Sequence, residues 1–180
     1  KTFILRLFCI NPAGNLKECL DKGTCTVFFS ATLLPIQYYK ELLSGSQEEY
    51  AVYAQSPFDR KKRLLMVAGD VSSRYTRRNP REYARISQYI QVIAGAKKGN
   101  YLVFFPSYYY MSQVKSLLEK EDAYQLLSQE SNMDEEEREG FLNEFQKERD
   151  ASLIGLCVMG GIFSEGIDLR KESLIGVILV

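Results

Sequence analysis

The sequence predicts an α/β fold in which a mainly parallel sheet carries helices on both faces. Short apolar runs of strand length alternate along the chain with stretches whose apolar residues recur at helical spacing. Strands separated by helices rather than by tight hairpin turns need crossover connections, and sheets built that way are parallel and covered on both sides. The chain has 180 residues, 46% of them hydrophobic, and a domain of that size buries about 70% of the surface its unfolded form exposes.

In chain order the strand candidates are Phe3–Cys9, Thr24–Phe29, Tyr50–Ala54, Leu64–Ala68, Tyr101–Phe105, Tyr124–Leu127, Leu153–Val158 and Leu174–Val180. A helix is expected over Pro80–Ala94, where Tyr83, Ile86, Ile90 and Ile93 make the apolar stripe, Asn79 stands as N-cap and Pro80 opens the first turn. A second is expected over Tyr108–Lys120, with the stripe Met111, Val114, Leu117 and Leu118. The third, Glu135–Lys147, buries Phe141, Leu142 and Phe145, and Asp134 and Glu137 have the spacing of a capping box. No internal repeat and no low-complexity linker interrupts this order.

Composition removes several chemistries. With no His, Ser-His-Asp and Cys-His nucleophilic sites and His-containing zinc sites are excluded. Cys9, Cys19, Cys25 and Cys157 lack C-x-x-C spacing, so they read as buried free thiols of a reducing, cytoplasmic compartment rather than as a metal or iron–sulfur site. No run reaches the roughly 18 apolar residues of a membrane span, and no secretory signal is visible.

Net charge is zero but unevenly placed. Nine basic residues fall between Asp59 and Arg85 against three acids, and eight acids fall between Asp134 and Asp150 against three bases. A basic region of this kind binds polyanions; two solvated faces are the plainer reading of charge alone.

In parallel sheets ligands sit beyond the carboxyl ends of the strands, so the loops there carry the chemistry. Phe28-Phe29 runs into Ser30-Ala31-Thr32, where Ser30 and Thr32 most simply cap the helix that Pro35 helps to start. Phe104-Phe105 runs into Pro106-Ser107-Tyr108-Tyr109-Tyr110, a hydroxyl for a phosphate and rings for stacking on a base, with Tyr110 starting the helix's core face. Cys157-Val158 runs into a loop holding Gly160, Gly161 and Gly166 ahead of Asp168. Glycines allow close approach of backbone N–H groups to a phosphate, while by composition a tight structural turn explains the same residues. A parallel sheet would bring all three loops to one rim. No G-x-x-x-x-G-K-[ST] loop occurs, and Asp134-Glu135-Glu136 follows a polar turn, as a helix N-terminus does, so the chain cannot hold nucleotide β/γ-phosphates and Mg²⁺ unaided.

Taken in order, these loops resemble the motor of the DinG/XPD family of superfamily 2 DNA helicases. Phe28-Phe29-Ser30-Ala31-Thr32-Leu33-Leu34-Pro35 is similar to motif III, and Val71-Ser72-Ser73-Arg74-Tyr75 with Arg78 to a Ser-Ser-basic-aromatic segment. Gly99-Asn100-Tyr101-Leu102-Val103-Phe104-Phe105-Pro106-Ser107-Tyr108 is similar to motif IV, and Gly161-Ile162-Phe163-Ser164-Glu165-Gly166-Ile167-Asp168 to motif V.

The resemblance implies a RecA-like fold. Residues 1–45 would hold the motif III segment at the junction with a first motor domain, and residues 46–180 a second motor domain truncated before motif VI. It implies ATP and Mg²⁺ shared with that first domain, single-stranded DNA as partner, and 5′→3′ movement. The Walker motifs, and the iron–sulfur cluster that many members carry, would lie upstream. Glu165, Gly166 and Asp168 would face the nucleotide; Ser30 and Thr32 would relay its state; Ser107, Tyr108, Arg74 and Arg78 would lie on the DNA path. Where family members often carry Lys this chain has Ile162, which leaves the backbone of Gly160 and Gly161 as phosphate donor. The competing expectation is a catalytically inactive RecA-like module that binds single strands or proteins.

Overall fold

The computed structural model describes residues 3–119 and 123–180. They fall into two units, residues 1–64 and 65–180.

In the first unit two short helices, α1 (Ala13–Leu20) and α2 (Ile36–Ser44), pack against each other. A 3₁₀ turn follows at Arg60–Lys62, capped by the Asp59 carboxylate, which accepts from the Lys61 N–H at 3.0 Å. None of the apolar runs Phe3–Cys9, Thr24–Phe29 and Tyr50–Ala54 forms a strand here, and Leu64–Ala68, where the second unit begins, forms none either. These four expectations are corrected for one physical reason: a strand exists by pairing its N–H and C=O groups with a neighbour, and these runs pair with none. Phe3, Phe8, Phe29 and Val67 are accordingly exposed. Cys9, Cys19 and Cys25 are exposed as well, so the expected burial of the thiols holds at Cys157 alone.

The second unit is built on four parallel strands, β1 (Asn100–Phe105), β2 (Tyr124–Ser128), β3 (Ser152–Val158) and β4 (Gly176–Leu179), in the spatial order β2-β3-β1-β4. Asn100 pairs with Leu153 and Phe105 with Val158 along β1 and β3; Leu102 pairs with Val177 of β4, and Leu126 of β2 with Ile154. The helix α3 (Pro80–Ala96) leads into β1, α4 (Tyr108–Leu118) joins β1 to β2, and α5 (Glu135–Glu144) joins β2 to β3. The expected end of the second helix at Lys120 lies outside the described residues.

Each helix starts where its cap chemistry places it. The Asn79 carboxamide oxygen accepts from the N–H groups of Arg81 and Glu82 at 3.0 and 3.1 Å, and Ser107 Oγ accepts from that of Tyr110 at 3.2 Å. Asp134 and Glu137 close a reciprocal capping box, both bonds 2.9 Å. Each cap satisfies a donor that the helix itself leaves open.

Side chains alternate across the central strands, so both faces are buried. On one face Tyr101, Val103, Phe105, Ile154, Leu156 and Val158 meet α3 and α4 through Ile86, Ile90, Tyr110, Val114 and Leu118. On the other, Leu102, Phe104, Leu153 and Cys157 meet Phe141, Phe145 and Phe163. Gly155 makes room on that second face, since a Cβ there would stand 2.6 Å from the Phe145 ring. The class is therefore α/β, a parallel sheet with helices on both sides.

The crossovers decide where a ligand can sit. From β1 the chain turns onto the first face through α4, whose Tyr110 and Val114 are buried there. From β3 it turns onto the opposite face through Phe163, Ile167 and Leu169 before reaching β4. Neighbouring strands whose outgoing connections leave to opposite faces define a topological switch point, and the crevice between their carboxyl ends is where open parallel sheets bind ligands.

Candidate functional site

The switch point brings together two of the loops singled out in the sequence. Met159 N–H donates to the Phe105 carbonyl at 2.8 Å, so the two exits run side by side as they leave the sheet. Thr24–Phe29 is not a strand, so the third loop, Ser30–Leu33, follows no strand of this sheet.

In the loop after β1, Ser107 spends its hydroxyl on the N-terminus of α4. Tyr108 and Tyr109 are exposed, whereas Tyr110 is fully buried in the core, as its place in the helical stripe requires. The Tyr108 hydroxyl accepts from Gln129 Nε2 at 2.8 Å and donates to the Glu130 carbonyl at 3.4 Å.

The loop after β3 is a chain of tight turns. Gly160 and Gly166 have φ of 74° and 71°, the left-handed region that side chains disfavour, so glycine is what lets the backbone reverse there. The N–H of Gly161 and the hydroxyl of Ser164 both return to the Val158 carbonyl, at 3.0 and 3.3 Å. Ser164 N–H donates to the Gly161 carbonyl at 3.0 Å. The Gly160 N–H has no acceptor among the described residues and is free for an anion. Phe163 anchors the loop: it is 1% exposed and stacks on Phe141 at 4.2 Å between ring centroids.

Glu165 is exposed on this loop. The Gly166 carbonyl accepts from Arg138 of α5 at 3.3 Å. Asp168 lies further along the crossing, beside Gln146 and Ser173 in a shallow cavity, away from the Ser107–Gly160 crevice. Its carboxylate is bound by Arg170 at 2.7 Å, and that hydrogen bond holds its pKa below the usual carboxylate value. A larger concavity, about 670 Å³, opens at the amino-terminal rim between Lys98–Asn100 and residues 145–151, and of the candidate site residues none lines it.

The basic stretch of the second unit is partly spent on structure. Arg77 pairs with the buried Glu82, and Arg85 with Asp70. Arg78 donates to the Ser73 carbonyl at 3.0 Å and lies over the rings of Tyr75 and Tyr110 at 5.5 and 5.2 Å, a cation–π arrangement that docks residues 73–78 on α4. Arg74 and Arg81 remain exposed, and neither guanidinium has a partner among the described residues. In the first unit Ser30 and Thr32 bond each other, Oγ to Oγ1 at 3.1 Å, and Thr32 N–H donates to Ser30 Oγ at 3.2 Å. They do not cap α2, whose N-cap position is Pro35 with no side-chain bond. A turn of the Ser/Thr type satisfies those hydroxyls locally.

Gln129 is the residue that sequence reasoning missed. It follows β2 directly, is 2% exposed, and its carboxamide lies between the two loops. The only available signal was its position after an apolar strand on the same rim.

A parallel sheet with a crevice at its switch point places the chain among the open α/β folds, whose ligands sit at the carboxyl ends of the strands. Residues 90–180, just over half of the chain, match the model of the helicase C-terminal domain family. This chain belongs to that family, the helicase C-terminal domains.

Among curated relatives it is 22% identical to the ATP-dependent DNA helicase CHL1 of Scheffersomyces stipitis, over 98% of this chain and 23% of that protein. It is 26% identical to a probable ATP-dependent helicase of Methanocaldococcus jannaschii, over 93% of this chain and 25% of that protein. A solved apo XPD chain superposes with a TM-score of 0.49 at 25% identity, covering 62% of this chain and 22% of that one. The chain thus spans about a quarter of the length of the curated relatives it matches.

Proposed function

We propose that this chain supplies the second motor domain of an ATP-dependent DNA helicase that moves 5′→3′ along single-stranded DNA. One observation carries the reading: the loops after β1 and β3 leave the sheet side by side at its switch point, one carrying the exposed Tyr108 and the other the exposed Glu165 and a free Gly160 N–H. A ring for a base, a carboxylate and a backbone donor for a phosphate are the groups a motor needs where nucleotide and DNA are coupled.

The residues present fit half of a nucleotide site. Among the described residues no group of three His, Cys, Asp or Glu side chains could hold a metal ion, and Asp168 is engaged by Arg170. ATP and Mg²⁺ would therefore be held jointly with the first motor domain of the same polypeptide, and this chain alone would not hydrolyse ATP. ATP supplies the free energy for domain closure. The part of this chain is to present Glu165, Gly166 and the Gly160–Gly161 backbone to the facing domain, with Ser30 and Thr32 relaying its state. Arg74 is free to contact DNA phosphate; Arg78 serves that surface by docking residues 73–78 on α4.

The test is ATP hydrolysis by the full-length parent with and without single-stranded DNA. Stimulation by DNA is expected, and Glu165→Gln should lower the stimulated rate about tenfold to a hundredfold, the size of effect that misplacing a reacting group produces. A folded parent that binds DNA and hydrolyses nothing would overturn the motor and leave a binding module.

A further inference from the structure

We infer that Gln129 is a positioning residue of the motor, a buried amide that fixes the DNA-side Tyr108 to the turn carrying Glu165; the inference rests on the function proposed above. The Gln129 carboxamide has one acceptor and two donors, and its orientation follows from its partners. The Val158 N–H, the last of β3, needs an acceptor and finds Gln129 Oε1 at 3.0 Å. The amide nitrogen is thereby turned toward the Tyr108 hydroxyl at 2.8 Å. That hydroxyl points its own hydrogen to the Glu130 carbonyl, so its lone pair is available to Gln129. The backbone of Gln129 is fixed too, its N–H donating to the Leu156 carbonyl at 2.8 Å.

The amide also packs on the glycine turn. A Cβ at Gly161 would stand 2.7 Å from Gln129 Nε2 and 3.2 Å from Oε1, so the amide fills the place a side chain would take. The Val158 peptide is then held from both ends: Gln129 takes its N–H, while Gly161 and Ser164 take its carbonyl. One side chain bonds the aromatic after β1 and the peptide from which the β3 loop springs. The Val158–Gln129 bond is buried, so water does not compete for it, and it holds the amide in place for the half-buried bond to Tyr108. The Tyr108 ring and the Gly160–Glu165 turn consequently keep one relative placement, which a motor needs if DNA bound at one loop is to be sensed at the other.

The experiment is steady-state ATP hydrolysis by the full-length parent, titrated with single-stranded DNA, for wild type, Gln129→Met, Tyr108→Phe and the double variant. Methionine keeps the length and apolar bulk and removes both bonds. The ratio of stimulated to unstimulated rate should fall about tenfold in Gln129→Met and fall in Tyr108→Phe. The double variant should be no worse than Gln129→Met, because the two residues act through one bond. A purely structural role would lower the melting temperature and leave the ratio in place.

An unchanged ratio in folded Gln129→Met, or losses that multiply in the double variant, would overturn the inference. If Gln129→Met does not fold, the same cycle is run with Gln129→Asn, which keeps an amide in the site but, one methylene shorter, withdraws it from the Tyr108 hydroxyl. Losses that multiply there would overturn the inference in the same way. A wild-type parent that hydrolyses ATP without DNA stimulation would instead overturn the motor reading, and this inference with it.

Discussion

Replacing Phe163 by Ala removes the anchor that holds the loop after β3 against the sheet. Phe163 is 1% exposed, and its ring lies nearly parallel to that of Phe141, 26° between planes. Phe141 is in turn packed on Phe145, 5.6 Å away, beside Leu102 and Cys157 in the same core. Truncation therefore loses the transfer free energy of a fully buried phenyl ring, the stacking contribution, and the packing of the cavity wall. Buried Phe→Ala changes cost about 3–5 kcal/mol, with stacking contributing about 0.5–1.5 kcal/mol of that. The loop carries left-handed turns at Gly160 and Gly166 and can partly collapse, which sets the expectation at the lower end, about 3 kcal/mol. For a urea m-value near 2 kcal/mol/M the unfolding midpoint should fall by about 1.5 M. Phe163→Leu, which keeps most of the apolar volume, should cost less than about 1.5 kcal/mol. Chemical denaturation of the purified chain followed by tyrosine fluorescence would measure both. A Phe163→Ala midpoint within about 0.3 M of wild type would show that the loop is not packed on this face.

Three further outcomes follow from the same structure. Burial pushes the Cys157 thiol up to about 12, so at pH 8 a thiol reagent should label the exposed Cys9, Cys19 and Cys25 quickly and Cys157 only on unfolding; rapid labelling of all four would refute the buried strand. The hydrogen bond from Arg77 holds the Glu82 carboxyl below its ordinary value of 4.5. Its contribution to stability is thus present above that pH and is lost as pH falls through the folded value. Glu82→Gln should flatten the acid limb of a stability–pH curve, and an unchanged limb would show that the pair does not persist in solution. Arg74→Glu in the parent should weaken single-strand binding and reduce the slope of log affinity against log salt by about one contact; an unchanged slope would make Arg74 a solvated side chain.

The elements legible in the sequence are those whose partners lie within the same unit. The helix expected over Pro80–Ala94, which the structure extends to Ala96, was readable because Asn79 caps it and Tyr83, Ile86 and Ile90 all find one core. β1 and β3 were readable because each is apolar on both faces, as a central parallel strand must be. Phe3–Cys9, Thr24–Phe29, Tyr50–Ala54 and Leu64–Ala68 carry the same kind of pattern and form no strand. An apolar run specifies that a segment favours burial, not what it will pair with. The same limit explains Gln129. Glycine clusters and tyrosine runs are visible as motifs, whereas a single Gln after a strand becomes informative only when Val158, Tyr108 and Gly161 are placed around it.

The division of labour at the rim follows from burial. Phe163 and Gln129 are enclosed and have their contacts satisfied inside the fold. The side chains of Glu165 and Arg74 are exposed and make no bond among the described residues, and the Gly160 N–H is left without an acceptor. A polar atom already satisfied inside the fold meets a ligand only by first breaking an existing contact. Groups left open would cost free energy in an enclosed site and are tolerated here only because water reaches them. A nucleotide or a DNA backbone would replace that water and find the geometry already set by the buried pair, which is how a loop of three glycines can be both mobile in composition and fixed in place. Asp168 departs from this pattern: Arg170 neutralises it at 2.7 Å, so before it could serve a nucleotide that ion pair would have to open. Since both side chains are exposed, solvent screens the pair and little holds it closed.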